Sequence, residues 1–278
     1  MISLVQPYVC RTLTTVTTRS YIGPAARRGI HTNSSSTVRA SFKPWLWGAA
    51  LIASASIMCQ QTIYLDSDAS PTLDETIDPA SSLSFPNTLK IQSKVPLPTL
   101  TLVGVGVRTV SFLGIQVYSV GFYADMNNPK LNQIPKSASP REKIEHIVQN
   151  SPCVLRIIPT RSTSFSHLRD GFIRAIQARM TLFRKNGALS KEEEFSIQAP
   201  LHKFKTMFPN TPLAKHAPLD ILLTPPEPSQ PRGLIIRDLG SVQHDWLAKE
   251  FFMAYFEGNG LSPAMQKSVF SRLQDFGQ

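Results

Sequence analysis

Residues 99–125, TLTLVGVGVRTVSFLGIQVYSVGFYAD, are dominated by β-branched and aromatic side chains and carry no helical period. That pattern predicts two strands, about 100–111 and 115–125, joined near Phe112-Leu113-Gly114. Strict alternation would put Leu102, Gly104, Gly106 and Arg108 on one face of the first strand and Val103, Val105 and Val107 on the other. Ser139 before Pro140 predicts a short helix over 138–150, and residues 153–161 read as a third strand. From 164 to 186, Phe165, Leu168, Phe172, Ile176, Met180 and Phe183 recur at spacings of three and four, which makes one face of a long helix. Arg169, Arg174, Arg179, Arg184 and Lys185 fall on its other faces and read as a solvated side.

Residues 187–218 interrupt the pattern. An acidic KEEE at 191–194 precedes a basic, aromatic LHKFKTMF at 201–208, and the stretch reads as an irregular insertion or lid. Residues 219–224 predict a strand, broken by Pro225, Pro226, Pro228 and Pro231, with 233–243 as its hairpin partner. Two helices close the chain, one about 244–257 and one starting at Ser262-Pro263 and running to about Asp275. The fold class is therefore α+β: an antiparallel sheet with helices packed on one face, built from residues 85–278.

The first 84 residues differ in kind. Residues 1–43 hold six basic residues (Arg11, Arg19, Arg27, Arg28, Arg39 and Lys43), no acidic residue, and thirteen Ser or Thr. This is the composition of a mitochondrial transit peptide. Residues 44–65 carry no charge, and Trp45, Trp47 and Tyr64 lie near their two ends, as in a single transmembrane helix. Residues 66–84 contain five acids and no base and read as a solvated linker. The basic flank before the span and the acidic flank after it place the N-terminal side toward the matrix, in the inner membrane.

Composition trims the possibilities further. With 42% hydrophobic and 17% charged residues among 278, a packed core is affordable and full disorder is excluded. Cys10, Cys59 and Cys153 are too far apart in sequence for a zinc finger or a c-type haem attachment site. The net charge of +10 invites a nucleic-acid partner, but it is divided into +6 over residues 1–43, −5 over 66–84 and +9 over 85–278, and that distribution argues against one. Neither a phosphate-binding loop nor a metalloprotease or nucleophile-elbow motif is present. Gly104-x-Gly106 precedes an arginine and a second strand, so a dinucleotide fingerprint fails on context. Two glycines beside Arg108 do leave bare backbone next to a positive charge, a floor for a flat or anionic ligand; an ordinary bulged strand with an exposed arginine fits as well.

GVGVRTVSFLGIQVYSVGFYAD, with RSTSFSHLRDGF, the LTP turn at 223–225 and Gly260-Leu261-Ser262-Pro263, resembles the chalcone isomerase family over residues 85–278. Together with the leader and the 187–218 insertion, it is similar to the fungal mitochondrial branch, the "altered inheritance of mitochondria" proteins. The resemblance implies an open-faced β-sandwich with a ligand cleft between sheet and helices. It implies Arg108 as the oxyanion-stabilising arginine of an intramolecular lyase, with Tyr118 where the isomerases have threonine, and these two as catalytic residues if the protein is active. Tyr at 118 is instead similar to the fatty-acid-binding branch, where an arginine and a tyrosine clasp a carboxylate. The fungal mitochondrial members are associated with haem. The resemblance thus implies haem or a fatty acid as ligand, bound by Arg108, Tyr118, Gly104 and Gly106, with Tyr118, His167, His202 and His216 as candidate axial ligands. The expected function is a non-catalytic haem-binding protein, with a fatty-acid carrier or a residual isomerase as alternatives.

Overall fold

The structure, a computed structural model, describes residues 74–92, 96–110 and 113–277. The expected transit peptide, membrane span and first part of the linker lie outside these residues. Among the described residues no helix is long and apolar enough to cross a membrane.

Three short strands, Glu75–Ile77 (β1), Ser84–Pro86 (β2) and Thr88–Leu89 (β3), precede the long hairpin Leu100–Val110 (β4) and Ile115–Ala124 (β5). Then follow Pro140–Asn150 (α1), Cys153–Pro159 (β6), Thr163–Ser164 (β7), Phe165–Lys185 (α2), Lys191–Thr206 (α3), Pro212–Leu213 (β8) and Leu219–Leu223 (β9). Gly233–Ile236 (β10), Gly240–Gln243 (β11), Asp245–Met253 (α4) and Pro263–Leu273 (α5) complete the chain. Seven strands form one open antiparallel sheet in the order β11-β10-β9-β6-β5-β4-β3. Alternation along its strands sends Val120, Phe122, Leu155, Ile157, Ile221 and Leu223 into a core shared with the helices. Leu102, Val105, Tyr123, Val154 and Leu222 go to the other face, where Phe85 and Leu89 cover them. The α+β layout expected from the sequence is the observed one.

Several expectations are corrected by particular residues. The acidic linker ends earlier than 84, because β1 pairs with β2 and Asp78 is buried. Its carboxylate accepts from Ser119 Oγ at 2.7 Å and Ser81 Oγ at 2.5 Å, which ties the hairpin to β5. Residues 187–218 are not irregular chain, because the helix Lys191–Thr206 runs through them. Ser190 and Glu193 make a reciprocal capping box at the start of α3. Glu192, Glu193 and Glu194 lie in its first turn and Lys203 and Lys205 in its last, matching the helix dipole. Ile197, Phe204 and Phe208 bury into the main core. The single strand expected at 233–243 is two, because the chain turns at Asp238, whose φ is 63°.

The expected solvated face of α2 also fails at one position. Arg179 is buried, and its guanidinium donates to Glu250 Oε2 at 2.5 Å and to Glu257 Oε2 at 3.1 Å. Burial pushes the Glu250 carboxyl up, and the adjacent Arg179 charge opposes this. A second buried cation, Arg232, faces carbonyls instead. It donates to Thr224 O at 2.9 Å, to Ser151 O at 2.8 Å, and to Val148 O and Gln149 O (the latter at 3.3 Å), two of the last carbonyls of α1. The two α1 carbonyls have no intrahelical donor of their own. Arg232→Met should therefore lower stability by about 3 kcal/mol, because it strands buried acceptors, and chemical denaturation of the variant measures it.

Candidate ligand-binding site

The site is made by two irregularities in the β4–β5 ladder. Leu102 pairs with Tyr123 but Gly104 pairs with Phe122, so Val103 is an extra residue. The alternation expected along β4 breaks there: Leu102 joins the outer core and Val103 the helix-side core. The register shifts again after Arg108, which faces Tyr118, whereas Thr109 faces Gln116. Val117 is now the extra residue, and Val117 and Tyr118 both turn toward the helices. Bulges of this kind re-aim side chains beside binding sites.

Arg108 Nη1 donates to Tyr118 Oη at 3.2 Å, and the Tyr118 and Tyr255 hydroxyls are 3.0 Å apart. Tyr255, just beyond α4, is fully buried, and burial holds its hydroxyl well above the usual tyrosine range. It therefore keeps its proton, and either hydroxyl can donate in the Tyr118–Tyr255 bond. When Tyr255 donates, Tyr118 accepts from both Arg108 and Tyr255, and its own proton is free to point at a ligand. Burial draws the Arg108 guanidinium down, the neighbouring tyrosines draw it up, and the net shift is upward. Arg108 remains a cation.

These donors stand at the end of a cavity of about 180 Å³ lined by Val110, Val117, His167, Leu168, Phe172 and Arg174, with Gly171 on its helix wall. A Cβ at Gly171 would come within 3.8 Å of Arg108 Nη2, so the bare helix backbone leaves space over the guanidinium. Phe172 is braced by Phe251 and Phe208, with ring centroids 5.2 and 6.1 Å away. His167 and Arg174 are exposed and mark the mouth. Among the described lining residues there is no carboxylate. A cation, a phenol proton and an apolar wall together suit an anionic head on an apolar body.

Of the residues expected from the sequence, Arg108, Tyr118 and His167 meet in this cavity. Gly104 and Gly106 do not form a ligand floor. A Cβ at Gly106 would lie 2.2 Å from Met265 N, and one at Gly104 2.7 Å from Val269 N, so α5 occupies the bare backbone. Ser268 Oγ accepts from Val105 N at 3.2 Å, and Ser262 Oγ donates to Val107 O at 2.9 Å. The helix thereby closes the edge of β4 that the two-residue β3 leaves open. His202 on α3 and His216 in the loop before β9 are exposed and line no part of the cavity.

The sequence did not reveal Tyr255, Gly171, Phe172 or Arg174 as site residues. The period of α2 carried Phe172 onto the buried face, but 137 residues separate Tyr255 from Tyr118 and nothing local links them. Tyr255→Phe should weaken ligand binding about three- to tenfold, the worth of one neutral hydrogen bond, with the fold intact. Titration of the variant beside the parent checks this.

The chalcone isomerase-like family profile matches residues 98–144 and 132–270. The chain belongs to the chalcone isomerase-like family. Among its relatives, an altered inheritance of mitochondria protein 18 of Debaryomyces hansenii is 26% identical over 263 residues, covering 80% of this chain and 83% of that protein. The namesake in Saccharomyces cerevisiae is 26% identical over 181 residues, 53% of this chain and 56% of that one. An uncharacterised Schizosaccharomyces pombe protein is 30% identical over 127 residues, covering 40% of this chain and only 45% of its own length. A crystal structure of an Arabidopsis thaliana fatty-acid-binding protein superposes with a TM-score of 0.54 at 18% identity, over 72% of this chain and 97% of that one. At that identity the likeness establishes the shared fold.

Proposed function

We propose that this chalcone isomerase-like protein binds an apolar molecule ending in a carboxylate, a long-chain fatty acid in the first instance. The observation that carries the reading is the convergence of Arg108 and Tyr118 in the wall of a largely apolar cavity. Charge-assisted hydrogen bonds from both would fix the head group. At about 180 Å³ the cavity is smaller than the roughly 300–1,000 Å³ of sites that enclose a drug-sized ligand. It takes the head and the first part of a chain, and the remainder leaves past His167 and Arg174. The fatty-acid-binding protein of the same fold supports this reading.

Haem is the second reading, favoured by the exposed His167 imidazole at the mouth. Arg108 and Arg174 suit propionates, and an imidazole suits the iron, which would supply the ligation and redox chemistry. The enclosed volume of about 180 Å³ is smaller than the macrocycle needs, so Arg108, Arg174 and His167 would hold a haem that the cavity does not enclose. The yeast relatives named as mitochondrial and the arginine-rich, acid-free leader support a mitochondrial location. Residues 44–65 would tether the protein to the inner membrane.

The test is to purify the full chain, extract bound lipid for mass spectrometry, and record absorption before and after adding haemin. Co-purified fatty acids with a flat spectrum support the first reading. A Soret band saturating near one haem per chain moves the assignment to the second. Neither ligand at any concentration overturns both.

A further inference from the structure

The end of the sheet that carries the cavity mouth is unusual in charge and in one apolar projection. The β4–β5 turn, the connection after β6 and the loop before β9 all meet there. Thr160 N donates to Val117 O at 3.2 Å, and His216 N donates to Pro159 O at 3.0 Å. Arg161 and Lys215, next to these contacts, are exposed, and so is Arg174 at the mouth. None of the three has an ion-pair partner among the described residues. Lys205 and Arg169 add further positive charge, and the nearby acid is Asp170, held below the usual carboxylate range by its hydrogen bond from Arg169. From the turn above them projects Leu113, 69% exposed.

We infer that this end docks on an anionic lipid surface, with Leu113 entering the interface and the basic rim seated on head groups. Cationic side chains around an apolar tip match the two attractions that hold proteins at such surfaces. Docking in this way turns the mouth beside Arg174 toward the bilayer, so an amphiphile could pass between membrane and cavity without crossing water. That consequence rests on the ligand reading above, whereas the docking itself does not.

The experiment uses the full chain with Cys10, Cys59 and Cys153 replaced, and a solvatochromic label on Leu113→Cys or, at the opposite end of β5, on Asn127→Cys. Vesicles of phosphatidylcholine, with and without phosphatidylglycerol, are added, and heparin serves as a soluble polyanion. The expected result is a blue shift at 113 with anionic vesicles alone and none at 127. Adding R161E and K215E should remove most of the shift at 113, since each cation is worth roughly fivefold at an anionic surface. Fatty-acid affinity in vesicle-free solution should not change, which separates the two readings.

No shift at 113, an equal shift at 127, or an equal response to heparin each overturns the docking. Hydrogen exchange of the unlabelled chain and its R161E/K215E form on anionic and on neutral vesicles repeats the test if a labelled variant fails to fold, and equal protection around residue 113 in both overturns it again.

Discussion

A Gly106→Val variant should be destabilised by about 3 kcal/mol or more, with its melting temperature lowered by roughly 6–12 °C. The cause is a collision with backbone, not with a side chain that can swing away. A Cβ at Gly106 would stand 2.2 Å from Met265 N and 2.5 Å from the Ala264 carbonyl carbon. Relief requires the whole N-terminal turn of α5 to lift off β4. That would in turn break the Ser262 hydroxyl bonds to Val107 O and Gly106 O and uncover Met265 and Val269, both fully buried. At Gly104 the nearest atoms are 2.7 Å away and include the Val269 side chain, so Gly104→Ala should cost less. Thermal unfolding of the two variants followed by circular dichroism orders them. A Gly106→Val protein as stable as its parent would mean that α5 does not lie on β4 as described.

Arg108→Met should cost about 3 kcal/mol of ligand binding, roughly 100-fold in Kd, and little stability. Arg108 is partly exposed, and its hydrogen-bond partner, Tyr118, keeps Tyr255. Methionine retains the length and apolar stem of the arginine, so the cavity stays filled while the charge is lost. Equilibrium titration with the ligand extracted from the parent, beside a denaturation curve, separates the loss of affinity from any loss of fold. Undiminished affinity would mean that the guanidinium does not hold the ligand.

Much of this architecture was legible because its signals are local. The β-branched run over β4 and β5, the three-four spacing along α2 and the Ser-Pro starts of α1 and α5 each needed only neighbouring residues. The helix α3 was missed: the change from acidic to basic along 191–208 read as irregular chain, although Ser190 and Glu193 stand at capping-box spacing. The bulges were not legible. A single extra residue at Val103 or Val117 reverses which face every following side chain takes, and no composition marks it. The glycine pair signals bare backbone, yet the helix that fills it lies more than 150 residues later. Only the fold says that backbone and not ligand lies there. Tyr255 escaped for the same reason: its importance comes from where α4 ends in space.

The claim on which the functional account turns is that Arg108 and Tyr118 hold a carboxylate. It is tested most directly by titrating the full chain and its Arg108→Met form with a long-chain fatty acid and with the fatty alcohol of the same length. The acid should bind the parent at least about tenfold more tightly than the alcohol, the contribution of a charge-assisted hydrogen bond, and Arg108→Met should erase that difference. Equal affinity for acid and alcohol in the parent, or a preference for the acid that survives in Arg108→Met, would contradict the account.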